Sequence, residues 1–191
     1  VLKVIKLTKK NLISPLLEKM RREASENVNE FWGKWANELH WFKKWNKVFE
    51  WNYPKFQWFI NGKTNISYNC LERNIFLKDR GDHTAIIWES PETNQNNVIT
   101  YNEMLNQVKR VASALTALGI KKGDRITIYM PMVPEAIISM LAITRIGAIH
   151  SVVFAGFGSE ALADRINDAG SKILITADFG YRKGKKIKLK E

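Results

Sequence analysis

Two stretches carry residues whose types and spacing could do chemistry. The first is Gly156-Phe157-Gly158-Ser159-Glu160-Ala161, which satisfies G-x-G-x-x-A at the junction of an apolar run and a helical pattern, with Asp178 following Gly158 by 20 residues. Glycines there would let the backbone approach a pyrophosphate, the helix N-terminus favours an anion, and the acid could hold a ribose, which is the chemistry of a dinucleotide-dependent oxidoreductase. A tight strand-to-helix turn in a wound sheet also wants glycines with no ligand at all. The second stretch is Phe179-Gly180-Tyr181-Arg182-Lys183-Gly184-Lys185-Lys186. Arginine offers a planar fork for phosphate and stacks on aromatic faces, and lysine supplies point charge. The alternative is a solvated basic tail.

No other chemistry is spelled out. His40, His83 and His150 are scattered, Cys70 is the one cysteine, and neither H-x-x-x-H nor C-x-x-C spacing occurs, so no metal site is expected. G-x-S-x-G and G-x-x-x-x-G-K-[ST] are absent as well. A single cysteine allows no internal disulfide and fits a reducing cytoplasm. No stretch reads as a signal peptide or a membrane span, because residues 133–153 are apolar but broken by Glu135, Arg145, Gly147 and His150.

The elements that must position these stretches lie in residues 98–177. Thr100 and Glu103 have capping-box spacing, and Met104, Leu105, Val108, Val111, Ala112, Leu115 and Leu118 recur at helical intervals until Gly119. Ile126, Ile128 and Met130 alternate as a strand, residues 133–146 read as an apolar helix stopped by Gly147, and 148–154 as the next strand. A helix from Ser159 to Gly170 and a strand over Ile173, Leu174 and Ile175 follow. Strands this apolar belong to a parallel sheet with helices on both faces. A ligand then belongs at their carboxyl ends, at residues 130–132, 154–158 and 178–185. Before this segment, 84–88 and 98–101 read as a hairpin at the sheet edge, with 90–97 as its loop.

The N-terminal part differs in kind. Residues 1–13 read as a basic strand or tail, Pro15 to Glu26 as a helix using Leu16, Leu17 and Met20, and Asn29 as the cap of a helix through Phe31, Trp32, Trp35 and Leu39. Six of the seven tryptophans fall between Trp32 and Trp58, and 41–59 is aromatic and aperiodic, an irregular arm. Aromatics interleaved with lysine suit single-stranded nucleic acid. Burial of the rings accounts for them better, at a few kcal/mol each from roughly 150–250 Å² apiece, and no nucleic-acid or membrane partner is expected. The net charge of +11 is concentrated, with six of the nine residues 182–190 being Lys or Arg; such a balance fits phosphate-bearing partners. The absence of an initial methionine, and of a helix after the last apolar strand, suggests a piece of a longer protein.

Together these stretches resemble the AMP-forming acetyl-CoA synthetases. The likeness rests on Glu50-Trp51-Asn52-Tyr53-Pro54, Ser67-Tyr68-Asn69-Cys70-Leu71, Ile128-Tyr129-Met130-Pro131-Met132-Val133-Pro134-Glu135-Ala136, Arg145-Ile146-Gly147-Ala148-Ile149-His150-Ser151-Val152-Val153-Phe154, Ala161-Leu162-Ala163-Asp164-Arg165-Ile166 and Ile175-Thr176-Ala177-Asp178. The resemblance implies an adenylate-forming α/β enzyme that joins acetate to ATP, releases pyrophosphate and passes the acyl group to coenzyme A, using Mg2+ for which this chain offers no ligand. It implies an N-terminal extension, residues 1–80, packing on a large AMP-binding domain that starts at 81, is mostly parallel and is incomplete at 191, so that the rest of the same enzyme covers the sheet. By position, Phe154, Ala155 and Gly156 and the run Arg182, Lys183, Gly184 and Lys185 match family positions that hold the nucleotide end of coenzyme A. The family's phosphate loop, ribose-binding Asp, acetate pocket and adenylation lysine would lie beyond residue 191, which leaves this chain without catalytic residues and inactive alone. Acetate cannot be separated from propionate without that pocket. The sequence departs from the family at Ala155, where Gly is usual, at Gly158-Ser159, where Ser-Pro is usual, and at Glu72 and Asn74, where Asp and His are usual. The second departure means that the dinucleotide pattern depends on residues the family does not keep.

Overall fold

The computed structural model describes residues 14–190, and the expected strand or tail over 1–13 lies outside the described residues. The chain divides into two compact units between Thr64 and Asn65.

In the first unit, α1 (Pro15–Glu26) and α2 (Val28–Ala36) precede a hairpin of β1 (Lys47–Asn52) and β2 (Lys55–Ile60). Pro15 stands at the first helical position, where its missing N–H is no loss. α1 buries none of its residues, so Leu16 and Leu17 stay exposed. The cap of α2 is Asn27, whose side chain accepts from the Glu30 N–H at 3.1 Å, and not Asn29. Asn29 instead accepts from the Phe49 N–H at 3.1 Å, tying the helix to β1. The aromatic stretch is also more regular than its sequence suggests. Phe49 faces Trp58 and Trp51 faces Phe56 across the hairpin, with ring centroids 4.5 and 6.3 Å apart. These rings cover one another, tilted in the first pair and stacked in the second, without disappearing from water: Trp51 keeps 64% of its surface and Phe56 59%, because a two-stranded ribbon has no interior.

The second unit opens with two short helices, α3 (Ile66–Cys70) and α4 (Glu72–Phe76). A hairpin follows, β3 (Thr84–Ser90) with β4 (Gln95–Thr100), and then α5 (Tyr101–Ala117). The expected capping box is present, with the Thr100 N–H donating to Glu103 Oε2 at 2.8 Å and the Glu103 N–H to Thr100 Oγ1 at 3.3 Å. Met104, Leu105, Val108, Ala112 and Leu115 line its buried face, while Leu118, which caps the end of the helix, is exposed. The β3–β4 pair is a sheet of its own rather than an edge of the parallel one.

The parallel sheet is β5 (Arg125–Tyr129), β6 (Ile149–Val152) and β7 (Ile173–Thr176) in the order β6-β5-β7, connected by α6 (Pro134–Arg145) and α7 (Ser159–Ala169). β5 reaches β6 on one side and the chain then crosses back past it to β7. Two right-handed crossovers stepping in opposite directions put their helices on opposite faces. Ile126 and Ile128 pack with Leu115, Ile120, Ile143 and Ala148 into one core, and Thr127 and Tyr129, from the other face of the same strand, are buried too. A last hairpin, β8 (Phe179–Arg182) and β9 (Lys185–Lys188), forms the basic stretch that the sequence left open between a phosphate site and a solvated tail.

Glu72, Asn74 and Asn65 fasten α3 and α4 to their surroundings. Glu72 is buried and takes Arg145, the last residue of α6, at 2.5 Å. Asn74 donates to the Cys70 carbonyl at 2.8 Å. Asn65 caps α3 and donates to the α6 carbonyls of Thr144 and Arg145 at 3.1 and 3.2 Å. Removing one partner of a buried pair strands the other charge, so Glu72→Ala should destabilise the protein by about 3 kcal/mol, read as a lower midpoint in urea; a shift within about 0.5 kcal/mol, as for surface sites, would contradict the pair's role.

Asp124 supplies a pH handle. Lys172 donates to its Oδ1 at 2.7 Å and the Lys121 N–H to its Oδ2 at 2.8 Å, and these bonds hold its carboxyl below the ordinary value of 3.8. With the folded value depressed, the bonds stabilise fully above the unfolded pKa and are lost as pH falls through the folded one. Asp124→Asn should therefore lower stability at neutral pH and flatten its decline below about pH 4, checked by denaturation midpoints between neutral and acid pH.

Candidate functional site

A cavity of about 560 Å³ opens at the carboxyl ends of β5 and β6. Its walls are residues 130–133 after β5, 154–156 after β6, 179–182 of β8 with Ile187 and Leu189, and the β3–β4 turn from Trp88 to Gln95. Because β5 and β6 send their following helices to opposite faces, their loops part and leave this crevice. Two side chains fix the walls. The indole N–H of Trp88 donates to the Met132 carbonyl at 2.8 Å, and the buried Tyr129 hydroxyl donates to the Phe157 carbonyl at 2.7 Å with the Ala155 carbonyl 3.3 Å away. Neither residue was singled out from the sequence; the only signal was an aromatic with a polar handle at the end of a strand.

Of the seven residues that the sequence nominated, Phe154, Ala155, Gly156 and Arg182 line this one cavity. The Arg182 guanidinium lies 5.9 Å from the centroid of the Phe154 ring, which is 62% exposed. Gly156 allows that approach, since a Cβ on it would fall 2.4 Å from Phe154 Cε1 and 3.1 Å from Arg182 Nη1. Lys183 and Gly184 form the two-residue turn between β8 and β9, both with positive φ, 51° and 71°. A Cβ on Gly184 would meet nothing within 4 Å, so its visible role is the turn. Lys185 stands directly opposite Arg182 in the ladder, and Lys186 lies over the Phe179 ring at 3.6 Å.

Asp178, the acid of the dinucleotide pattern, is engaged elsewhere. Its carboxylate pairs with Lys190, and that bond holds its carboxyl below the usual range. The first glycine of the pattern lines the cavity, and the second, Gly158, is the cap of α7. Among the described residues no group of three His, Cys, Asp or Glu gathers closely enough to hold a metal, and no helix is long and apolar enough to cross a membrane. The cavity lining combines the aromatic rings of Trp88, Phe154, Phe179 and Tyr181 with one cation, Arg182, and two acids, Glu89 and Glu92.

Comparison with known proteins decides the family. The AMP-binding enzyme model matches residues 72–191. The chain belongs to the AMP-binding enzyme family. In this AMP-binding chain residues 17–70 also match the acetyl-coenzyme A synthetase N-terminus model. It is 51% identical over 173 residues to an acetyl-coenzyme A synthetase of Deinococcus radiodurans, covering 91% of the chain and 26% of that protein. It is 49% identical to one of Rubrobacter xylanophilus, over 88% of the chain and 26% of the relative, and 51% identical to one of Syntrophobacter fumaroxidans, over 91% and 27%. The chain thus spans about a quarter of the length of the curated relatives it matches. These matches leave the oxidoreductase reading without support.

The Gly156 geometry is directly testable. In a crystal structure of Gly156→Ala the Phe154 ring should have rotated away from Arg182, with the melting temperature nearly unchanged because the turn is exposed; an unmoved ring would contradict the close approach.

Proposed function

We propose that the chain is the N-terminal portion of an acetate:CoA ligase, which makes acetyl-CoA from acetate, ATP and coenzyme A through an acetyl-adenylate, releasing pyrophosphate and AMP. In this reading residues 1–80 are the N-terminal extension and 81–191 the start of the large AMP-binding domain. The family-model boundary between residues 70 and 72 and the unit division after Thr64 support such a split. The enzyme works in the cytoplasm on small molecules, with Mg2+ bound by residues outside this chain.

The chain's own contribution is to hold the nucleotide end of coenzyme A through Phe154, Ala155, Gly156, Arg182, Lys183, Gly184 and Lys185. One observation carries this: Arg182 lies by an exposed aromatic ring inside the strand-end cavity while standing opposite Lys185. Like charges directly opposed across a ladder repel, and among the described residues no carboxylate is paired with either. A phosphate between them would relieve that repulsion, the guanidinium binding through its fork, while the ring of Phe154 offers an adenine a face. Acyl-adenylate formation uses groups elsewhere in the enzyme.

The selectivity of the effect is the test. In the full-length enzyme, Arg182→Ala should raise the KM for coenzyme A roughly 10- to 150-fold, the equivalent of a charged hydrogen bond of about 1.5–3 kcal/mol. Acetate-dependent exchange of pyrophosphate into ATP should stay near normal. Lys185→Ala should act in the same direction but less strongly, since lysine lacks the fork. Equal losses in both half-reactions would make Arg182 a structural residue, and no loss in either would leave the basic hairpin without a ligand.

A further inference from the structure

We propose that Tyr129 is a positioning residue for the coenzyme A site, its hydroxyl setting the turn that presents Phe154 and Gly156; this rests on the functional reading above.

Tyr129 ends β5, the strand paired on both sides, and only 6% of its surface is exposed. Strand pairing therefore fixes its backbone, and burial fixes its ring. The turn it reaches has no such support. Phe154, Gly156 and Phe157 are exposed, and the turn closes on itself through one bond, from the Phe157 N–H to the Phe154 carbonyl at 3.0 Å. A hydroxyl has one proton to donate. The 2.7 Å contact to the Phe157 carbonyl takes it, and the Ala155 carbonyl at 3.3 Å is the weaker arm of a three-centre bond. Two of the turn's carbonyls thus face one hydroxyl on a rigidly held ring. Arg165 lies 4.5 Å from the centroid of the Phe157 ring, and this contact holds the far end of the same turn from α7. The Tyr129 hydroxyl meets the turn on both sides of Gly156, strongly at Phe157 and weakly at Ala155, next to the Phe154 that meets Arg182. Without the hydroxyl the carbonyls would turn to water, and the ring and glycine would sample more orientations, so that ordering them would fall on ligand binding.

Tyr129→Phe keeps the ring and the packing and removes only the proton. In the full-length enzyme it should raise the KM for coenzyme A roughly 2- to 10-fold, the range of one neutral hydrogen bond. The turnover number and pyrophosphate exchange should remain as in the parent. A double-mutant cycle with Phe154→Ala gives the readout that a general structural role would not move. If Tyr129 acts through the turn, Tyr129→Phe should have little further effect once Phe154 is gone. An additive effect, or parallel losses in adenylation and thioester formation, would overturn the proposal, as would an unchanged KM for coenzyme A. Should Phe154→Ala alone leave that KM unchanged, the coenzyme A reading of the cavity fails first; a raised KM in Phe154→Ala with none in Tyr129→Phe refutes only the role of Tyr129.

Discussion

The second unit depends on one strand being dry on both faces. β5 is paired along its length with β6 and β7, and four of its five residues, from Ile126 to Tyr129, are buried. A parallel strand in this position must bury side chains in both directions. Ile126 and Ile128 meet α5 and α6, while Thr127 satisfies its hydroxyl on Ser171 at 2.8 Å and Tyr129 sends its own to the turn after β6. The polar side chains on this strand are tolerated because each finds a partner, and the partner of Tyr129 is the turn after β6 that lines the cavity.

That arrangement carries straight into the site. Helices on opposite faces draw apart the loops that follow β5 and β6, and the β8–β9 hairpin closes the third side. The hairpin bends back through a tight turn with positive φ at Lys183 and Gly184, which puts Arg182 and Lys185 face to face. Two like charges thus stand directly across the ladder from each other. The aromatic contact of Arg182 with Phe154 gives the same cation a resting place.

Much of this was legible in the sequence, for reasons that can be named. The helix from Tyr101 and the three parallel strands announced themselves because burial on one stripe or on both faces leaves a strong hydrophobic period, and the stop at Gly119 needs a φ of 85° that glycine adopts readily. The strand ends were legible as the place for a ligand because topology alone dictates it. What escaped was decided by partners distant in sequence. Asn27 and Asn29 are equivalent as letters, and only the arrival of Phe49 beside Asn29 determines which one caps the helix. The β1–β2 hairpin was hidden because its alternation is short, Phe49 and Trp51 around Glu50 and Phe56 and Trp58 around Gln57, and is set among further aromatic residues that blur the period. The basic stretch could be read as a tail as well as a phosphate site because its ladder is written in lysines, and the Trp88 and Tyr129 hydrogen bonds end on backbone carbonyls, which have no letter in the sequence at all.

The central claim is that the cavity at the strand ends receives the nucleotide end of coenzyme A and not its thiol arm. Competition in the thioester-forming half-reaction addresses it most directly, with adenosine 3′,5′-bisphosphate standing for one end of the cofactor and pantetheine for the other. The account predicts that the bisphosphate competes with coenzyme A in the parent enzyme and loses affinity together with coenzyme A when Arg182 is replaced by Ala, while inhibition by pantetheine is the same in both proteins. A bisphosphate that binds equally well with and without Arg182, beside a pantetheine effect that disappears with it, would contradict the account.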